Sequence, residues 1–162
     1  MKPLTITCVL AVAALIGVAT AGATTPTTTH ASIHRSFPHY LPCEGFWIDG
    51  EFDLERTTTT FYDEAGTALR TVSHIHADGT LSNPLTGKSI PDSGDFKVTV
   101  DLATGATTTE GRTNVATSPG DGIVYQVVGH LVLSSGDILF EAGPHDDADG
   151  TFDALCAYLA GP

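Results

Sequence analysis

Residues 96–102 read Phe96-Lys97-Val98-Thr99-Val100-Asp101-Leu102. The apolar Phe96, Val98, Val100 and Leu102 alternate with the polar Lys97, Thr99 and Asp101, which is the period of two of a pleated strand. A strand with one apolar and one polar face belongs in an antiparallel sheet with one face buried and the other wet.

Strand-like runs of β-branched and aromatic residues extend outward from this one: residues 57–62 (TTTTFY), 67–77, 123–133 (IVYQVVGHLVL) and 138–140. Turn signals punctuate them at Asp63-Glu64-Ala65-Gly66, Asp78-Gly79, Ser93-Gly94, Ala103-Thr104-Gly105, Pro119-Gly120-Asp121-Gly122 and Ser135-Gly136. Short connections without a helical period predict an all-β, antiparallel up-and-down meander. About seven or eight such strands remove their exposed edges by closing, so a small β-barrel is expected in preference to an open sandwich. The period changes once, near the end. Phe152, Leu155, Cys156 and Leu159 fall at i, i+3, i+4 and i+7, the stripe of a short C-terminal amphipathic helix, with Asp149 or Thr151 available as its cap.

The front of the chain reads as an export signal over residues 1–23. Lys2 gives a positive start, an apolar stretch covers residues 4–18, and Ala21, Gly22 and Ala23 supply an A-x-A cleavage site. The apolar stretch is shorter than the roughly 20 residues that span a bilayer, so no membrane span is expected after cleavage. Cys8 lies inside this stretch, away from the cleavage site, which argues against a lipid anchor. Residues 24–42 (TTPTTTHASIHRSFPHYLP) are rich in threonine and proline without a sustained apolar period, and read as a flexible tether. His30, His34 and His39 within it lack the carboxylate or thiolate companions of a metal tail. Residues 43–162 form one domain.

Of three cysteines, Cys43 and Cys156 remain in the exported chain, and an oxidising compartment favours their pairing. Such a bridge fastens the terminal helix to the entrance of the first strand. The formal net charge is −12. Nucleic acid and anionic membranes recruit Lys and Arg, so neither is an expected partner; the acidity itself serves solubility.

Candidate binding residues follow from strand periodicity. On residues 67–77, Arg70, Val72, His74 and His76 share one face. Turned inward, Arg70 and His74 would make a polar pocket for an anion or for acid–base chemistry; turned outward, they are a hydrated face. On residues 123–133, Gln126 and His130 share a face with Val124, Val128 and Val132, and apolar residues on both faces imply cover by the helix or by another subunit. His130 fits a buried or interface position better than a catalytic one. His74 and His76 could ligate a metal only with a third ligand, such as His130 or His145, from elsewhere, so no metal and no cofactor are expected. Asp49, Glu51, Asp53 and Glu55 alternate along one hydrated strand face. Residues 143–150 (GPHDDADG) partly resemble a calcium loop but lack its longer ligand series, and turn formation or capping explains them. There is no Gly-x-Ser-x-Gly elbow and no spare cysteine for a nucleophile.

The runs TTTTFYDEAG, GTLSNPLTGKS, DLATG, PGDGIVYQVVGHLVL, FEAGPHD and ALCAYL together resemble a group of small secreted actinomycete proteins of no established function. That resemblance implies secretion, an all-β body and the terminal cysteine, and it supplies no active site. Gly45-Phe46-Trp47 is similar to the Gly-x-Trp of lipocalins, and the plan of signal, barrel and end-to-end cysteines is similar to dirigent and allene oxide cyclase barrels in architecture alone. The reading is therefore a secreted, disulfide-closed barrel that binds an unidentified small ligand or a partner protein, with Arg70, His74, His76, Gln126 and His130 as candidate contacts. Two alternatives stand beside it. One is a cofactor-free barrel isomerase or cyclase using Arg70 and His74; the other is a structural, envelope-associated protein that self-associates into a homo-oligomer.

Overall fold

A computed structural model describes residues 24–161. The export signal expected over residues 1–23 lies outside the described residues. Seven strands follow in chain order: β1 (Thr27–Cys43), β2 (Phe46–Tyr62), β3 (Ala68–Ser82), β4 (Ser89–Asp101), β5 (Thr107–Ser118), β6 (Gly122–Ser134) and β7 (Asp137–Ala142). Each pairs antiparallel with its neighbour in sequence, giving one sheet in the order β1 to β7. Among the described residues two short helices follow, α1 (Asp146–Asp149) and α2 (Asp153–Ala160).

The antiparallel meander and the C-terminal helix match the sequence reading, but the sheet is not closed. Seven alternating strands leave β1 and β7 pointing the same way, so a closing pair would be parallel and slightly weaker per residue. The sheet nevertheless curls: the Tyr40 hydroxyl on β1 donates to Asn114 Oδ1 on β5 at 3.5 Å.

The segment expected as a tether is instead most of β1. Thr27 through Phe37 pair in unbroken register with β2, from Thr27 opposite Thr60 to Phe37 opposite Gly50. Composition alone undervalued this stretch, because threonine is a good strand former once a partner strand exists. His30 Nδ1 bonds Thr57 Oγ1 at 2.9 Å and His34 Nδ1 bonds Asp53 Oδ1 at 2.9 Å, so two of its three histidines are cross-strand partners. Pro38 coincides with a break in register, and His39 turns to φ 57° there, its amide donating to Asp49 Oδ1 at 2.8 Å.

Two of the expected turns, Asp78-Gly79 and Ser93-Gly94, lie inside β3 and β4. Their glycines serve close approach: a Cβ at Gly79 would stand 2.3 Å from the Phe52 ring, and one at Gly94 would stand 2.2 Å from the Thr113 carbonyl oxygen. The true β3–β4 connection is residues 83–88. There Asn83, 2% exposed, accepts the Leu85 amide and donates from Nδ2 to the carbonyl of Leu159 in α2.

The core occupies one end of the sheet. Leu41, Ile48, Phe52, Leu81, Ile90, Ala116, Val124, Tyr125 and Val127 pack there with Leu155 and Leu159 of α2. Cys43 and Cys156 are bonded at this end, with Cα atoms 5.7 Å apart across 113 residues of chain. The expected side-chain cap of α2 is not made. Phe152 stands at its N-cap, while Thr151 Oγ1 donates to Asp146 Oδ1 and the Asp149 amide donates to the His145 carbonyl. We call this end the clasped half. In the other, open half, residues 96–100 and 106–110 are half-buried on both faces alike, and Leu102 is 46% exposed. The chemical alternation of residues 96–102 is therefore not matched by a dry face and a wet one.

Candidate functional site

Cross-strand partners share a face, so the pairing register sorts the candidate residues. Ile75 opposite Phe96, Ala77 opposite Gly94 and Leu81 opposite Ile90 lie on the concave, core side. Arg70, His74 and His76 alternate with these and lie on the convex side. His74 stands between Thr57 of β2 and Lys97 of β4; Lys97 stands opposite Glu110, and Glu110 opposite His130. His130 is thus on the convex face too, its ring 5.3 Å from that of Phe140. Gln126 stands opposite Val115, and its backbone N–H donates to Asp146 Oδ2 at 2.8 Å.

The register brings His74, His76 and His130 onto one face and leaves Arg70 apart, its guanidinium 4.6 Å from the Phe61 ring centroid. An isomerase or cyclase working through Arg70 and His74 needs them in an interior, and they do not face one.

The convex groups neutralise one another. His76 bonds Asp95 at 2.7 Å and Asp78 at 2.9 Å, and these bonds hold its imidazole above the usual histidine range. Asp95, bonded by His76 and by Arg112 at 2.9 Å, sits below the usual carboxylate range. Lys97 does the same to Glu110. The hollow these residues line is broad and open, and His76, Asp95, Lys97 and Glu110 in its wall are already paired. Among the described residues, no three His, Cys, Asp or Glu side chains gather to hold a metal ion.

The concave face differs. Two adjoining hollows share Tyr40, Thr113 and Asn114. One, of about 160 Å³, has apolar walls of Phe37, Phe52, Leu54, Ala77 and Phe96. The other, of about 220 Å³, is lined by Val127, Leu131, His145 and Asp147, and in its wall Gly111 of β5 pairs with Gly129 of β6, leaving that part without side chains. Aromatic rings frame the first: Phe37 lies 5.9 Å from both Tyr40 and Phe52, centroid to centroid.

His145 reaches this face through a bridge pairing with Val127. It is 4% exposed, and neither ring nitrogen has a hydrogen-bond partner. Its Nδ1 lies 4.0 Å from Glu141 Oε1, a buried oxygen also without a hydrogen bond. Behind Asn114, Asp92 is 2% exposed. Its Oδ2 accepts from Asn114 Nδ2, and the backbone amides of Ser93 and Val115 lie against the same carboxylate. Burial pushes the Asp92 carboxyl above the usual range, against the lowering effect of Asn114. Burial likewise raises the phenols of Tyr40 and Tyr125, whose hydroxyls lie close to each other. Buried polar atoms without partners cost about 1–3 kcal/mol each, and a cluster of them beside a cavity marks a place where function outweighs stability.

Sequence reasoning placed Tyr40 in a tether, Asp92 beside a supposed turn and His145 in a capping loop. Only His145 carried a usable signal, as a histidine inside an otherwise acidic turn. Searches against family models, curated proteins and solved structures find no match. The likenesses to the actinomycete group, to lipocalins and to the dirigent and cyclase barrels rest on the quoted motifs and plan alone.

Proposed function

We propose that the protein is an exported, non-catalytic binding protein whose concave cleft takes a small ligand with an apolar body and a polar end. The observation that carries this is the joining, at Tyr40 and Asn114, of an apolar hollow to a buried His145 with both ring nitrogens unpartnered. The curl that brings Tyr40 over Asn114 supports reading the meander as an incompletely closed barrel, with the cleft as its interior. The disulfide and the leader composition support export, which predicts protein outside the cell with an N-terminus near Thr24. The test of binding is titration with Nile red, a neutral apolar probe. One saturable site per chain is expected, weakened in Ala77→Leu, which narrows the apolar hollow. Binding unchanged in that variant, with its melting midpoint retained, would overturn the reading.

A second reading concerns partners. The edge strand β7 exposes Ile138, Leu139 and Phe140 at 52%, 64% and 52%, with neither Lys nor Pro among its residues to guard it. It carries Asp137 and Glu141, whereas residues 24–43, which include β1 at the opposite edge, have Arg35 and three histidines and no acidic residue. We propose that the β7 edge of one copy meets the β1 edge of another. Sedimentation should show self-association that Leu139→Lys abolishes; a monomer at all concentrations would refute it.

A further inference from the structure

We propose that the ligand of the concave cleft is a cationic amine, its ammonium set against Asp147 and His145 and its apolar substituent against Phe37, Tyr40 and Phe52. This inference rests on the binding reading above and adds the charge of the ligand. Neither hollow is lined by a lysine or an arginine among the described residues, whereas Asp147 lines one of them. A second carboxylate, Glu141, stands 4.0 Å from His145 with a buried, unbonded oxygen.

An anionic ligand would meet Asp147 with no lysine or arginine in the lining to offset the repulsion, and like charges at a binding surface repel strongly. An ammonium instead supplies donors where the cleft has acceptors. A neutral imidazole has one acceptor nitrogen, carboxylates accept only, and the face of a tyrosine ring attracts a cation. The acidic chain, at −12, adds a field of the same sign that draws cations toward the cleft.

Three probes with one apolar body separate the possibilities: 2-phenylethylamine, 2-phenylethanol and 3-phenylpropionate, titrated calorimetrically into the purified protein. The amine should bind about tenfold tighter than the alcohol, as one ammonium–carboxylate contact beside a tyrosine ring warrants, and the carboxylate should not bind. Asp147→Asn, and separately Glu141→Gln, should weaken the amine several-fold and leave the alcohol and Nile red unchanged. Equal binding of amine and alcohol overturns the amine proposal and leaves the cleft reading intact. Tighter binding of the carboxylate overturns it as well. Failure of all three probes together with Nile red overturns both.

Discussion

The two halves of this sheet are built from the same kind of strand and differ in what lies on them. In the clasped half, α2 and the curled end of β1 cover the concave face, and Ile48, Leu81, Leu155 and Leu159 are fully buried. In the open half the same strands continue with similar alternation, yet among the described residues no helix covers either face, and Val98, Val100 and Leu131 remain half-exposed. Alternation makes a strand capable of burial. Burial itself comes from a second layer, and among the described residues the open half has none.

Reducing the disulfide gives the largest expected break in this contrast. In the loop-entropy model, closure of a loop this long stabilises by roughly 4–5 kcal/mol. Reduction should lower the melting temperature strongly, and hydrogen exchange should quicken first in α2 and around Cys43. An unchanged midpoint would show that the clasped half stands without its clasp. Leu159→Ala comes next and should cost about 2–5 kcal/mol, as for a buried leucine, while Val98→Ala in the open half should cost about 1 kcal/mol or less. Equal losses in denaturant melts would erase the distinction between the halves.

Asp92→Asn tests the polar group inside the clasped half. Burial raises the folded-state pKa of Asp92, so folding favours its protonated form more than the unfolded chain does. Its contribution to stability is full below the unfolded carboxylate value and is lost as pH rises through the raised value. Replacing it by a neutral amide should raise stability at pH 8 by about 1 kcal/mol and flatten the pH profile over that window. A steeper profile would be the wrong sign.

The smallest effect belongs to His76 on the convex face. Its raised pKa makes its pairing with Asp95 and Asp78 fully stabilising below the unfolded histidine value, and that contribution fades as pH rises through the folded one. Asp95 is depressed by the same contact, so its share is lost at the acid end, as pH falls through its folded value. Proton resonance titration should show the His76 midpoint falling in Asp95→Asn with little change in melting, because the pair is exposed.

How much of this was legible in the sequence depends on the range of the signal. The alternation of residues 96–102, the helical stripe from Phe152 to Leu159 and the pairing of Cys43 with Cys156 were readable, since each follows from local period or residue chemistry. The shared face of Arg70, His74 and His76 was readable too; that it is the convex face was not. A period of two separates faces without saying which one the sheet curls around, and that choice is made by partners far along the chain. The threonine run of β1 needed Thr57 to Thr60 to become a strand. Gly79 and Gly94 read as turns because the signal for a turn is also the signal for room, and only the Phe52 ring and the Thr113 carbonyl tell the two apart. His145 joined the cleft through its bridge to Val127, a pairing that no motif announces.

Strand β1 runs from the free end of the open half to Cys43, and Cys43 is bonded to α2. A pull applied between residues 24 and 161 would therefore run along one strand that is already extended, cross the sulfur bridge and leave through the helix. The hairpins from β2 to β7 lie outside that line of tension. Stretched between these two points, the chain would first straighten the kink at His39 and unwind the last turn of α2, with the bridge shielding the hairpins from the load.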